Sequence, residues 1–222
     1  MNLLSYRESG YRERPSRRPP KQKKYERSAL ILDILENTTN RKDKHKGKTI
    51  IQALGTTYLT LLEIIPINAS SLTLMDEILL DKEHRSNVQT IIGRIPYDSL
   101  TNVAQVQLED AITKIVEDNE ARYVEWLNKA PPINIRLHSL QVIKGIGPKA
   151  MSSIIQSRKE EEFSSFKNFE ERTGVKDIKD LIINRIQIEI TDDTERHHLF
   201  SRPPPKIDER GRNQFNKRGN YR

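Results

Sequence analysis

One short run constrains the fold of this chain more than any other. It is Leu137-His138-Ser139-Leu140-Gln141-Val142-Ile143-Lys144-Gly145-Ile146-Gly147-Pro148-Lys149-Ala150, continuing to Arg158. Leu137, Leu140 and Ile143 recur at helical spacing, and so do Ala150, Ile154 and Ile155. Between the two stripes stand two glycines, and Pro148 suits the first turn of the second helix. The spacing predicts two helices joined by a tight turn. Gly145 and Gly147 would give backbone angles and a close approach that side chains block, and Ile146 would pin the turn to the core. The turn amides and the N-terminus of the second helix would then face an anion, with Lys144 and Lys149 adding charge on either side.

This pattern resembles the helix-hairpin-helix motif, which grips nucleic-acid backbone without reading bases. Such hairpins also serve as protein-contact modules, and the pattern alone leaves both uses open. The residues that follow fit a compact helical unit. Phe163, Phe166 and Phe169 supply core aromatics, Ser165 can open a helix that Gly174 closes, and Asp177 can cap the next. In that last helix Ile178, Leu181, Ile182, Arg185 and Ile186 are in phase. The turn Thr173-Gly174-Val175-Lys176 lacks a paired glycine and receives no phosphate-binding role. His197-His198-Leu199-Phe200 reads as a short terminal strand or an extended end, and its adjacent histidines point apart, so no metal is assigned.

Residues 25–100 read as β structure. Apolar runs at Ser28–Leu35, Thr49–Leu54, Tyr58–Ile65, Glu77–Asp81 and Val88–Ile95 are bounded by Gly55-Thr56-Thr57, Pro66 and Pro96. Five short strands suit a small barrel or curled sheet, here read as OB-like. An open barrel face would hold single-stranded nucleic acid by analogy; a barrel that only packs on its neighbour is the competing reading. The loop Arg41–Lys48 is the best local basic patch, or simply a solvated loop. Residues 101–132 form a helical connector, capped by Thr101 and ended by Pro131-Pro132, with Leu108, Ile112, Ile115, Tyr123 and Trp126 on one face. Asn119 breaks its phase, so one helix or two in succession fit. Glu109, Asp110, Glu117, Asp118 and Glu120 read as the solvated face rather than a metal site.

Charge is unevenly placed along the 222 residues, whose net charge is +7. Residues 1–28 hold nine Lys/Arg against three Glu, and residues 201–222 hold seven against two acids, which leaves the body mildly acidic. Both ends carry Pro and Gly and few aliphatics, so they are expected to be disordered when free. Arg12, Arg14, Arg17, Arg18, Lys21, Lys23 and Lys24 in the first tail can pair with phosphates, as can Arg212, Lys217, Arg218 and Arg222 in the last. Tyr6, Tyr11, Phe215 and Tyr221 can stack on unpaired bases. Tails that only solubilise the chain are the competing reading. The sequence has no cysteine, which removes disulfides, thiol nucleophiles and thiolate metal sites. No apolar run is long enough to span a bilayer and no secretory signal opens the chain, so a cytoplasmic protein without membrane partners is expected.

Taken together, Lys24-Tyr25-Glu26-Arg27-Ser28-Ala29, Ile51-Gln52-Ala53-Leu54-Gly55, Leu61-Leu62-Glu63, Asn134–Leu140 before the glycine turn, and His198-Leu199-Phe200-Ser201-Arg202-Pro203 resemble an archaeal family of uncharacterised function, DUF655. The resemblance covers residues 24–204 and leaves the tails outside. It implies an OB-like domain joined to a helix-hairpin-helix domain, RNA binding, and work around the ribosome, since genes of the family often lie near those for a ribosomal protein and a ribosomal RNA dimethyltransferase. It carries over no catalytic residue.

The expected architecture is therefore α+β: a basic disordered tail at 1–24, an OB-like β domain at 25–100, a helical connector at 101–132, a helix-hairpin-helix domain at 133–204 and a basic tail at 205–222. The expected function is non-enzymatic binding of RNA, ribosomal in origin, with ribosomal proteins as further partners, through Lys144, Gly145, Ile146, Gly147, Lys149 and the tail cations. No cofactor and no metal are expected. The alternative is an accessory protein of DNA binding or repair. Glycosylases with this hairpin carry an essential Asp downstream of the glycines, whereas Lys149 to Gly174 holds Glu160, Glu161, Glu162, Glu170 and Glu171 but no Asp. No nucleophile–base pair, Walker loop or carboxylate constellation supports an enzyme.

Overall fold

A computed structural model describes residues 25–205, apart from residues 37, 39–43, 82 and 84–86. The tail cations from Arg12 to Lys24 and from Arg212 to Arg222 lie outside the described residues, as do Arg41 and Lys42 of the basic loop.

The apolar runs of the first half become five strands: β1 (Ser28–Leu35), β2 (Ile50–Gly55), β3 (Leu61–Pro66), β4 (Glu77–Leu79) and β5 (Val88–Arg94). They form one antiparallel sheet in the order β4-β1-β2-β3-β5. The β4-β1-β2-β3 part is a Greek key, in which a fourth strand returns beside the first. A register shift between Ile31 and Asp33 in β1, and two more along β3 and β5, curl the sheet into a half-barrel. Tyr58 to Thr60 belong to the β2–β3 loop rather than to β3. That loop folds around one carboxylate: Glu26 accepts hydrogen bonds from the backbone N–H groups of Thr57, Tyr58 and Thr60.

β2 and β3 are buried along their whole length. Leu30, Leu32, Leu54 and Leu61 face the helices, while Ala29, Ile31, Ile51, Ala53, Leu62 and Ile64 fill the inside of the curl with Ile78, Leu80 and Val88. The open sheet face expected for single-stranded nucleic acid is thus absent at the sheet's centre; exposed side chains lie on the outer strands, at Gln89 and Thr90 of β5 and at Glu77 and Leu79 of β4. The physical reason is in the runs themselves. Both parities of β2 and β3 are apolar, which demands cover on both faces.

The helices follow in order: α1 (Asn102–Asp118), α2 (Glu120–Lys129), α3 (Ser139–Val142), α4 (Pro148–Glu160), α5 (Phe166–Thr173) and α6 (Ile178–Thr191). Thr101 caps α1 by accepting the Ala104 N–H, and Asn119 breaks the connector into two helices. Gln52, nearly buried, ties that start to the sheet: its Nε2 donates to Ser99 O at 2.9 Å and its Oε1 accepts from Thr101 N at 2.8 Å. Ser165 caps α5 and Gly174 ends it in the left-handed region at φ 74°. Asp177 does not cap α6 with its side chain. Its own φ of 56° turns it away, and Glu170 of α5 instead accepts the Ile178 N–H at 2.9 Å. One core joins all of this, running from the helix-facing side of the sheet through α1 and α2 to Leu140, Ile143, Ile146, Phe169 and Ile182.

Candidate nucleic-acid interface

α3 is short, and its start is fixed by a reciprocal cap. His138 Nδ1 accepts the Leu140 N–H at 3.2 Å while Gln141 Oε1 accepts the His138 N–H at 3.0 Å. Burial, and then the nearby Arg158, lower the His138 pKa and keep the ring neutral and able to accept. The chain then turns through Ile143-Lys144-Gly145-Ile146-Gly147 into α4. Ile143 and Ile146 are buried, whereas Lys144, Gly145, Gly147, Pro148 and Lys149 are exposed. Ile146 therefore anchors the turn as its sequence position predicts, and both lysines and both glycines are exposed.

The two glycines differ in what they need. Gly145 has φ 107°, where a side chain is strained, and a Cβ there would stand 3.1 Å from Leu181 Cδ2, which would have to give way by a few tenths of an ångström. Gly147 has φ −80° and ψ 177°, ordinary extended geometry, and a Cβ would meet nothing within 4 Å. The expectation that both glycines serve backbone angles is corrected: Gly147 is not required by the fold, and its bare face opens to solvent. Gly147 is also the N-cap of α4 and supplies no capping side chain. Among the described residues the N–H groups of Gly145, Gly147 and Lys149 find no acceptor. The surface thus offers unpaired amides, the positive end of a 13-residue helix and two cations.

The far end of α4 is held rigidly. Arg158 donates to Leu127 O at 3.0 Å and Ala130 O at 3.1 Å, neutralising the C-terminal carbonyls of α2. Arg172 lies 4.8 Å over the Phe163 ring and donates to Ser157 O and Glu161 O of the α4 terminus. In the basic loop before β2, Lys44, Lys46 and Lys48 are exposed and His45 is buried. Among the described residues no group of His, Cys, Asp and Glu could hold a metal ion, and no helix is long and apolar enough to cross a membrane.

Sequence reasoning missed a buried ionic network. Arg185 and Glu189, 4% and 0% exposed, pair on α6 at 3.0 Å, and Arg185 also reaches Glu195 at 3.0 Å and the His197 carbonyl. The Glu189 carboxylate accepts the N–H groups of Leu199 (2.7 Å), Phe200 (3.0 Å) and Ser201 (2.8 Å). The C-terminal segment is therefore extended and pinned by a carboxylate instead of by a sheet. Phe200 packs edge-on against Trp126 and Tyr123, so the half-buried Trp126 packs against the core. The available signal was two opposite charges four residues apart in phase with the apolar stripe of α6.

A curled antiparallel sheet joined by two helices to a helical unit, with a lysine-flanked glycine turn on its surface, defines an α+β protein. The chain belongs to the DUF655 family, described as protein of unknown function, whose pattern matches residues 25–202. It is 34% identical over 181 residues to the uncharacterised protein MJ0038 of Methanocaldococcus jannaschii, covering 81% of this chain and 82% of that one. It is similar to the crystal structure of the family member Af1531 from Archaeoglobus fulgidus, with a TM-score of 0.68 and 31% identity over 80% of this chain and 100% of that one.

Proposed function

We propose that this protein is a non-enzymatic RNA-binding protein that works on the ribosome or its assembly, and that α3, the glycine turn and α4 act as a helix-hairpin-helix clamp on the phosphate backbone. The observation that carries the reading is Gly147: an N-cap that the fold leaves free of any steric or conformational need, beside unpaired amides and between Lys144 and Lys149. A missing side chain that the protein itself does not require suits a ligand approaching the backbone closely. A phosphate oxygen there would accept from the turn amides and meet the helix dipole. The Greek-key half-barrel is read as an OB-like domain that holds the clamp in place through the connector. Its central strands are filled on both faces, so the phosphate contacts fall on the clamp and on the basic segments 1–24 and 206–222, which supply most of the salt-sensitive affinity.

The ribosomal part of the reading is tested by sedimenting a native lysate through sucrose gradients at low and high salt and following this protein by immunoblot. Co-migration with a subunit or the whole ribosome at low salt is expected. Recovery only at the top of the gradient at low salt would remove the ribosome from the proposal.

A further inference from the structure

A second surface feature lies away from the glycine turn. Between the start of β1, the β2–β3 loop and the α1–α2 junction is a solvent-open cleft of about 320 Å³. Its volume sits at the low end for small-ligand sites. Leu30 and Ile115, each 2% exposed, supply apolar floor. Around them stand polar groups with unequal hydrogen-bonding capacity. The Asn119 amide spends its Nδ2 on the Ile115 carbonyl at 2.8 Å, which leaves its Oδ1 as an acceptor. The Glu77 side chain, on the edge strand β4, makes no hydrogen bond or ion pair among the described residues. Asp118 is matched by Lys114 at 3.1 Å. Arg27 lines the cleft and supplies its one cation among the described lining residues.

An apolar floor favours an aromatic ring, free carboxylate and carbonyl oxygens favour a ring edge rich in N–H donors, and the Arg27 cation favours an attached phosphate. We infer that this cleft, through Glu77, Asn119 and Arg27, receives a single unpaired guanine of an RNA strand. A guanine presents N1–H and N2–H side by side to a carboxylate, whereas uracil presents two carbonyl oxygens that Glu77 would repel. The inference rests on the RNA reading for the source of its ligand, and it adds base preference to a clamp that reads none.

The test uses the full chain in two arms. In the first, fluorescence anisotropy compares a ten-residue oligouridine with the same oligomer carrying one central guanosine. We expect about tenfold tighter binding of the second, the low end for one bidentate base contact. Glu77→Gln should abolish that preference while oligouridine binding stays unchanged, because position 77 is exposed on an edge strand. In the second arm, amide shifts are followed during titration with guanosine and uridine monophosphates. Guanosine monophosphate should move Arg27, Ser28, Thr56, Glu77 and Asn119, and uridine monophosphate should not. Equal oligomer affinities, with nucleotide shifts falling outside the cleft, would overturn the inference even if both oligomers bind. Guanosine-specific shifts in the cleft with no binding of either oligomer would support the cleft and sink the RNA reading instead.

Discussion

Replacing Glu189 by alanine should damage this fold more than any exposed substitution, and the structure gives the size of the effect. The carboxylate is 0% exposed and holds Arg185 at 3.0 Å together with three backbone N–H groups of the C-terminal segment. Removing one partner of a buried pair leaves the other charge uncompensated and costs about 3–5 kcal/mol. The orphaned amides can regain water only if residues 199–201 peel away, and that would expose Phe200 and break its contact with Trp126 at 4.7 Å. We therefore expect Glu189→Ala to lose about 4 kcal/mol. With a urea slope of about 2.5 kcal/mol per molar, that lowers the unfolding midpoint by about 1.5 M. Trp126 is the chain's one tryptophan, so its fluorescence reports on the segment directly. Its emission should shift red in the variant before global unfolding begins. Glu189→Gln keeps the shape and loses the charge, and should fall between wild type and alanine. A midpoint within about 0.3 M of wild type with an unshifted spectrum would refute the assignment of this network as the pin of the C-terminal segment.

Hydrogen bonding to Arg185 is the main cause that lowers the Glu195 pKa from 4.5 to about 2. A depressed carboxylate contributes stability above its unfolded value and loses it on acidification, so stability should fall between pH 4.5 and 2, and Glu195→Gln should flatten that limb in pH-dependent urea melts. Among the described residues the buried Tyr123 hydroxyl has no hydrogen-bond partner, and burial pushes its pKa up to about 12. Tyr123→Phe should therefore leave stability unchanged or raise it by about 1 kcal/mol, read as a higher urea midpoint. Deleting residues 1–24 and 206–222 should flatten the plot of log affinity for RNA against log salt, because most of the phosphate-pairing cations go with them; an unaltered slope would remove the tails from the binding account.

Much of this architecture was legible in the sequence, for reasons particular residues make plain. The strands stand out because apolar runs end at Gly55, Pro66 and Pro96, and α1 and α5 because Thr101, Ser165 and Gly174 have few other uses. The cluster of Lys144, Gly145, Ile146 and Lys149 was legible because it is contiguous. For Gly147 the expectation of a special backbone angle was wrong, since a sequence shows that a side chain is missing and not whether the fold or a ligand requires its absence. Glu170 in place of Asp177, and Glu26 at the β2–β3 loop, depend on contacts between distant elements that no local spacing encodes. The filled faces of β2 and β3 were signalled by apolar residues at both parities, a sign that argues against an open binding sheet.

The central claim is that the glycine turn holds phosphate, and the affinity of two single variants for a ribosomal RNA fragment tests it most directly. Gly147→Ala meets no steric or backbone obstacle, so its thermal midpoint should match wild type while its affinity falls about tenfold, the loss of one charge-assisted hydrogen bond. Gly145→Ala, forced into a φ of 107° against Leu181, should instead destabilise the fold by about 1–2 kcal/mol. Wild-type affinity in Gly147→Ala would contradict the account, because the one glycine that the fold leaves free would then be free of the ligand as well.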